Sequence, residues 1–262
     1  LNIILMGMYL LMNKSVYSQQ EYIKTTDTAI DSSMQISNYF DTIPVPSLAE
    51  ILLGHVFGID VSHHNGYINW QAVVDSNPDL GFVIIKATEG GDMVDVQYHE
   101  NFFAIRKQGI MVGAYHFYNP EKHFLEQVKN FTKTVKLKPG DMVPVLDLEK
   151  IPRSKHAKKH LSSGIKNWLL HIEKHYGVKP MIYTNQKFLR EYLADLDLSE
   201  YPAWIAAYSY QSFAKDIVQA SAIHQFSASL SLSGLKKPVD ANRLKPEHLP
   251  KITIPQSLVE LP

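Results

Sequence analysis

From residue 55 onward, apolar residues occur in short runs that alternate with longer amphipathic stretches. Valine, isoleucine and tyrosine dominate these runs, and most of the runs are nearly continuous. Such runs are typical of strands that are buried on both faces of a parallel sheet. The predicted strands lie at residues 56–61, 82–87, 111–117, 142–148, 181–184, 203–208 and 223–226, with a weaker one around residue 239.

The stretches between these runs have the spacing of amphipathic helices, predicted over residues 96–108, 124–135, 162–176 and 185–193. Strands that alternate with helices indicate βαβ units, and roughly eight strands over about 200 residues predict an α/β, TIM-like barrel. The later connections are short, so the closing strands need not all be parallel. A doubly wound open sheet is the competing fold, but no glycine-rich phosphate loop follows the first strand.

The N-terminal part of the chain has a different character. Residues 3–12 are almost entirely apolar, which suits a signal peptide and is short for a membrane span, although no positive charge precedes them. We expect a signal peptide or anchor at 1–18, with an N-terminal helix packed on the domain as the alternative. A linker is expected at 19–54, the barrel at 55–254 and a tail at 255–262. This organisation predicts an exported protein with no further membrane segment.

The composition narrows the possible functions. Lysine plus arginine equals aspartate plus glutamate, 26 each, so the chain has no overall field that would attract nucleic acid. The absence of cysteine excludes disulfides, thiolate catalysis and cysteine-bound zinc. Twelve histidines are present, but no helical His-x-x-x-His pair has the glutamate of a zinc protease, so no catalytic metal is expected.

Acidic side chains follow the predicted strands at the end where a βα barrel carries its active site. Asp147 and Glu149 are two positions apart, so their side chains point to the same side of a strand. Two neighbouring, buried carboxyl groups cannot both ionise freely, and one should keep its proton near neutral pH. This arrangement supplies the general acid and the charged carboxylate that glycosidic cleavage needs. The alternative is an ordinary strand-to-loop turn with one acid exposed.

Other candidate residues end neighbouring strands. Asp60 and Asp240 are expected at the same rim, where they orient Glu149 or a water molecule, or else cap turns. The aromatic residues Tyr115, Trp204 and Tyr208 are either platforms for sugar rings or packing residues of the barrel. A basic run after the catalytic strand is interpreted as a solvated loop, with attraction to an anionic wall polymer as the alternative; it comprises Lys150, Arg153, Lys155, Lys158 and Lys159.

Five segments together resemble glycoside hydrolase family 25, the Chalaropsis-type lysozymes or N-acetylmuramidases. They include Gly-Ile-Asp-Val-Ser-His at 58–63, Phe-Val-Ile-Ile-Lys-Ala-Thr-Glu-Gly at 82–90 and Pro-Val-Leu-Asp-Leu-Glu at 144–149. The others are Val-Gly-Ala-Tyr-His-Phe at 112–117 and Val-Asp-Ala-Asn at 239–242. The resemblance runs from about residue 56 to residue 244, in the order of the family.

The resemblance implies an irregular barrel of five βα units closed by three further strands. It implies hydrolysis of the β-1,4 bond between N-acetylmuramic acid and N-acetylglucosamine in peptidoglycan glycan strands. We also expect a monomer that needs no cofactor. Glu149 matches the general acid, Asp147 its partner carboxylate, and Asp60 and Asp240 the other acids of the pocket. Positions near the sugar are matched by Tyr115, His116, Lys86, Glu89, Trp204 and Tyr208.

Two segments depart from the family pattern. His64 stands where many members have tryptophan, and His224-Gln225-Phe226 stands where many have Trp-Gln-Tyr. Both changes remove indole surface on which a sugar could stack. A hydrolase of another N-acetylated glycan and a non-catalytic glycan-binding module therefore remain as alternatives.

Overall fold

The structure is a computed structural model that describes residues 54–208 and 217–257. The predicted signal peptide or anchor at 1–18 and all but the last residue of the predicted linker lie outside the described residues. No helix within the described residues is long and apolar enough to cross a membrane.

Within the described residues, eight strands form a closed ring, and a ninth short strand adds a hairpin at its edge. The ring runs in the order β1, β9, β8, β7, β6, β5, β4, β2, and pairing of β1 with β2 closes it. The TIM-like barrel is thereby confirmed. The strands are β1 Val56–Val61, β2 Leu80–Glu89, β3 Met93–Val94, β4 Met111–Phe117, β5 Val145–Leu148, β6 Met181–Asn185, β7 Ala203–Ala206, β8 Ile223–Leu230 and β9 Val239–Leu244.

The direction of the strands shows how the ring closes. The pairings from β1 through β2, β4, β5, β6 and β7 to β8 are all parallel. Strand β9 is antiparallel to both β8 and β1, which agrees with the expectation of mixed closing strands. A short β8–β9 connection suffices for an antiparallel neighbour, whereas a parallel one needs a long crossover.

Helices follow the first five ring strands, which gives the five βα units. They are α1 Trp70–Ser76, α2 Tyr98–Lys107, α3 Phe124–Thr134, α4 Lys155–Tyr176 and α5 Gln186–Phe188, with a further short α6 at Leu249–Ile252. Helix α4 begins seven residues earlier than the predicted start at 162, because the Ser154 side chain accepts a hydrogen bond from Ala157 N and caps the helix. Three lysines of the basic run therefore lie on the first turns of α4 rather than in a loop.

The core occupies the barrel interior and the layer between the ring and its helices. Strand β2 is buried over most of its length, as its continuous apolar sequence predicts. Gly58 on β1 leaves room for the Phe82 ring, since a Cβ there would lie 2.4 Å from the ring atoms. Residues that follow the buried parts of the parallel strands then meet at one end of the barrel.

Candidate active site

An open cleft of about 520 Å³ lies at the carboxyl ends of the parallel strands. Its walls combine acidic, basic and aromatic side chains. The lining residues are Ser62, His64, Asn65, Lys86, Glu89, Tyr115, Phe117, Asp147, Glu149, Lys150, Pro238 and Asp240. A cleft at this end of a TIM-like barrel is the usual place for catalysis.

Asp147 and Glu149 line the cleft together. Asp147 belongs to β5 and is only 5% exposed, whereas Glu149 follows the strand and is half-buried. Burial, followed by the charge of Glu149, raises the pKa of Asp147 well above its usual value. Burial also raises the pKa of Glu149, against the opposing effect of a hydrogen bond from Asn185. Both carboxyl groups therefore favour their protonated forms more than free aspartate and glutamate side chains do.

The Asp147 carboxyl group has one oxygen without an internal partner. Within the described residues, its Oδ1 is buried and accepts no hydrogen bond. A buried oxygen without a partner costs about 1–3 kcal/mol, so such atoms call for an explanation. A ligand group or a water molecule in the cleft would supply the missing donor.

A second acid pair lies beside the first. Asp60 on β1 is paired directly with Asp240 on β9, and Asp240 lines the cleft while Asp60 is buried beneath it. Burial and the charge of Asp240 raise the pKa of Asp60 to about 8, and burial raises the pKa of Asp240. The two carboxyl groups therefore share a proton at neutral pH.

Amide side chains hold Asp60 in place. Its Oδ2 accepts hydrogen bonds from Asn242 Nδ2 at 2.7 Å and from Gln225 Nε2 at 2.9 Å. Trp204 Nε1 donates to Asn242 Oδ1 at 2.8 Å, which orients that amide. Trp204 is 2% exposed and lies outside the cleft lining, so it supports Asn242 from the core.

Two tyrosines complete this network. The hydroxyl groups of Tyr183 and Tyr208 donate to Gln225 Oε1 at 3.0 and 2.6 Å. Because Gln225 Oε1 accepts from both tyrosines, its Nε2 must face Asp60. Tyr208 is 57% exposed and lies outside the cleft lining, at the outer end of the chain of hydrogen bonds.

A cationic group forms another wall of the cleft. Glu89 accepts hydrogen bonds from Lys86 Nζ at 2.8 Å and from Lys150 Nζ at 3.1 Å. Burial alone would raise the pKa of Glu89, but these two lysines lower it below its usual value. Both ammonium groups also lie over the Phe117 ring, 4.6 and 5.7 Å from its centre.

The neighbouring residues Tyr115 and His116 point in different directions from β4. Tyr115 lines the cleft, and burial followed by the charge of Asp147 raises its pKa well above the usual value. His116 is fully buried, with its ring nitrogens 2.7 Å from Thr88 Oγ1 and 3.0 Å from Gln127 Oε1. Burial lowers the pKa of His116 to about 4, so it is a neutral core residue that does not reach the cleft.

Comparison with known proteins identifies the family. The model of the family "Glycosyl hydrolases family 25" matches residues 59–235, about two thirds of the chain. The chain belongs to glycosyl hydrolases family 25. It is therefore a glycoside hydrolase, as the five sequence segments led us to expect.

Relatives of this family-25 chain include a protein of Escherichia coli O6:H1 described as uncharacterized protein YegX. The two are 33% identical over 92% of this chain and 88% of the relative. Lysozyme M1 from Streptomyces globisporus is 26% identical over 72% of this chain and 67% of its own length. A family 25 glycosyl hydrolase from Bacillus anthracis has a similar fold, with a TM-score of 0.66 at 24% identity over 84% of this chain and 98% of that one.

The family-25 site also contains residues that the sequence analysis did not select. Gln225 and Asn242 hold Asp60, and Phe117 lies against the cationic wall. Lys150, which was expected in a solvated basic loop, lines the cleft and binds Glu89. Asn242 is two positions after Asp240 on β9, a spacing that could have drawn attention to it. Gln225 contacts Asp60 across 165 positions of sequence, which no local pattern reveals. In the described residues, no group of three or more histidine, aspartate or glutamate side chains is arranged to hold a metal ion.

Proposed function

We propose that this glycoside hydrolase is a lysozyme that cleaves the β-1,4 bond between N-acetylmuramic acid and N-acetylglucosamine in peptidoglycan. The observation that carries the proposal is the Asp147–Glu149 pair, two carboxyl groups of raised pKa that line one open cleft. The similarity to Lysozyme M1 supports the same substrate class. Since peptidoglycan lies outside the cytoplasmic membrane, the proposal includes export of the protein.

Glu149 is proposed as the general acid. It is the less buried member of the pair, so a glycosidic oxygen in the cleft can reach its carboxyl group, and its raised pKa favours the protonated form that a general acid needs. Asp147 is proposed as the partner carboxylate; burial and the charge of Glu149 raise its pKa, and the positive charge of Lys86 opposes this rise. In its ionised form Asp147 stabilises positive charge that develops on the sugar ring or orients the attacking group.

The remaining residues proposed for the site differ in whether they line the cleft or lie beneath it. Asp240 lines the cleft, and Asp60 acts through it from below. Tyr115, Lys86 and Glu89 line the cleft and are proposed as sugar contacts.

Substitution of Glu149 tests the proposal. Glu149→Gln keeps the shape and removes the transferable proton, so release of reducing ends from purified peptidoglycan should fall by about 10²–10⁴-fold. Glu100→Gln, an exposed position on α2, is the matched control and should retain full activity. Thermal unfolding of both variants should match the parent chain. Undiminished turnover by Glu149→Gln would remove Glu149 from the acid role.

One observation favours a second candidate, a hydrolase of another N-acetylated glycan. The described lining of the cleft contains Tyr115 and Phe117 but no tryptophan, and His64 occupies a position where the family pattern has indole. Mass spectrometry of products from peptidoglycan and from chitin oligomers separates the two candidates. Release of muramic acid at the reducing end supports the lysozyme proposal, whereas cleavage of chitin oligomers alone contradicts it.

A further inference from the structure

The cationic wall of the cleft carries more positive charge than the Glu89 carboxylate can balance. Lys86 and Lys150 both bind Glu89, and no other acidic side chain within the described residues forms an ion pair with either lysine. Two positive charges and one negative charge leave this wall with a net charge of +1. Asp147 and Glu149 lie in the same cleft, so a substrate meets an acidic region and a basic region side by side.

Both lysines retain donors for a ligand. An ammonium group has three N–H donors. In the described part of the chain, each of these two lysines donates one hydrogen bond, to Glu89, which leaves two donors on each. Since both bind the same carboxylate, the two ammonium groups lie close enough for a second anion to contact both.

Each lysine of the cationic wall also makes a second contact, besides the one to Glu89. The Lys86 side chain is 7% exposed, and both ammonium groups lie over the Phe117 ring. Contact with the ring face stabilises the cations where water is partly excluded. A partly dehydrated cation that is already positioned binds an anion more strongly than a free surface lysine does.

Lys86 and Lys150 differ in how they affect the Asp147–Glu149 pair. Burial raises the pKa of Asp147 and of Glu149, and the charge of Lys86 partly opposes this rise, so Lys86 acts on the acid pair directly. Lys150 binds Glu89 and follows Glu149 directly in the chain. Because consecutive Cα atoms are about 3.8 Å apart, one sugar unit can present its glycosidic oxygen to Glu149 and a substituent to Lys150.

We propose that Lys150 and Lys86, held by Glu89 above Phe117, form a specificity site for a carboxylate substituent of the glycan. This proposal rests on the proposed function and names the chemical feature that the cleft selects. N-acetylmuramic acid carries an acidic lactyl ether that N-acetylglucosamine lacks. When a stem peptide is attached, that carboxyl group becomes an amide and the peptide supplies carboxylates instead.

Binding measurements test the site without relying on turnover. Isothermal titration calorimetry is run on the full chain carrying Glu149→Gln, with an N-acetylmuramyl disaccharide as free acid and as methyl ester. The free acid should bind about ten-fold more tightly than the ester, the factor that ~1.4 kcal/mol provides. Added salt should reduce this difference. A third ligand, in which the lactyl group is linked to a dipeptide that ends in a carboxylate, shows which source of carboxylate is preferred.

Substitution of Lys150 tests whether this lysine causes the preference for the free acid. Lys150→Met in the same chain should weaken binding of the free acid about ten-fold, to the level of the ester, and leave binding of the ester unchanged. Lys150→Arg should keep the preference for the acid. Lys155→Met, an exposed residue on α4 outside the cleft lining, is the matched control and should change neither affinity.

Each outcome distinguishes this proposal from the proposed function. Equal affinity for acid and ester, or an equal loss for both ligands in Lys150→Met, overturns the carboxylate site and leaves the glycan function standing. Failure of every ligand to bind overturns both proposals.

Discussion

Replacement of Asp60 by asparagine should make the stability of the protein less sensitive to pH. Asp60 is buried, and its Oδ2 accepts hydrogen bonds from Gln225 and Asn242. An asparagine oxygen can accept the same two bonds, and its amide can donate to Asp240 in place of the shared proton. The variant therefore keeps the shape and the hydrogen bonds of the parent chain but removes one ionisable group.

The size of the effect follows from the pKa of Asp60. Burial and Asp240 raise it from 3.8 to about 8, so between these values the folded chain binds a proton that the unfolded chain has lost. The resulting stabilisation is complete below the unfolded pKa and is lost as the pH rises through the folded pKa, at up to about 1.4 kcal/mol per pH unit. Because Asp240 shares the proton, we expect Asp60→Asn to remove about 2–4 kcal/mol of the decline between about pH 5 and about pH 8.

Urea unfolding followed by tryptophan fluorescence measures this difference. The free energy of unfolding is determined for both chains at about pH 5, 6, 7 and 8. The contributions of Asp147, Glu149 and the buried histidines are common to both chains, so the difference between the two curves isolates the Asp60–Asp240 pair. Parallel curves for the two chains would refute the assignment of a shared proton to this pair.

Three further substitutions test other parts of the structure. Gln225→Met removes the hydrogen bond to Asp60 and the two bonds from tyrosines. We expect kcat to fall more than KM changes, and the free energy of unfolding to drop by about 1–3 kcal/mol. An unaltered kcat would contradict the positioning role of Gln225. His116→Leu leaves the side chains of Thr88 and Gln127 without their hydrogen-bond partner. Urea unfolding should therefore show a free energy of unfolding lower by about 1–3 kcal/mol. A changed KM would instead place His116 in contact with substrate. Gly58→Ala drives a Cβ into the Phe82 ring and should lower the unfolding midpoint by the equivalent of about 1–3 kcal/mol, and an unchanged midpoint would contradict the close contact.

The barrel could be predicted from the sequence because the pattern that indicates each strand lies in neighbouring residues. Continuous apolar runs mark strands buried on both faces, and the structure has strands at each of the predicted runs. Helix boundaries were less certain, as the early start of α4 shows, because the Ser154 cap outweighs the polar character of the first turns. Helix α1 was not predicted, since its seven residues are too few for a clear period.

The site residues also include some whose position the sequence predicted and some whose position it did not. The i, i+2 spacing of Asp147 and Glu149 led to the expectation that they share a face, and both line the cleft. From the sequence, Asp240, which lines the cleft, and Asp60, which is buried beneath it, had the same expected position. The burial of Trp204 and His116 in the core was not predicted either, because the side of a strand that faces the cleft depends on how the sheet closes.

The amino-acid sequence alone therefore determined the order of strands and helices, the end of the barrel that carries acidic residues, and the family. These features depend on periodicity and on short motifs, which are properties of neighbouring residues. Only the tertiary structure decided that β9 runs antiparallel between β8 and β1, that Gln225 and Asn242 hold Asp60, and that Lys150 joins Lys86 on Glu89. Contacts between residues 61 to 182 positions apart arise from ring closure, and burial then sets which carboxyl groups keep their protons.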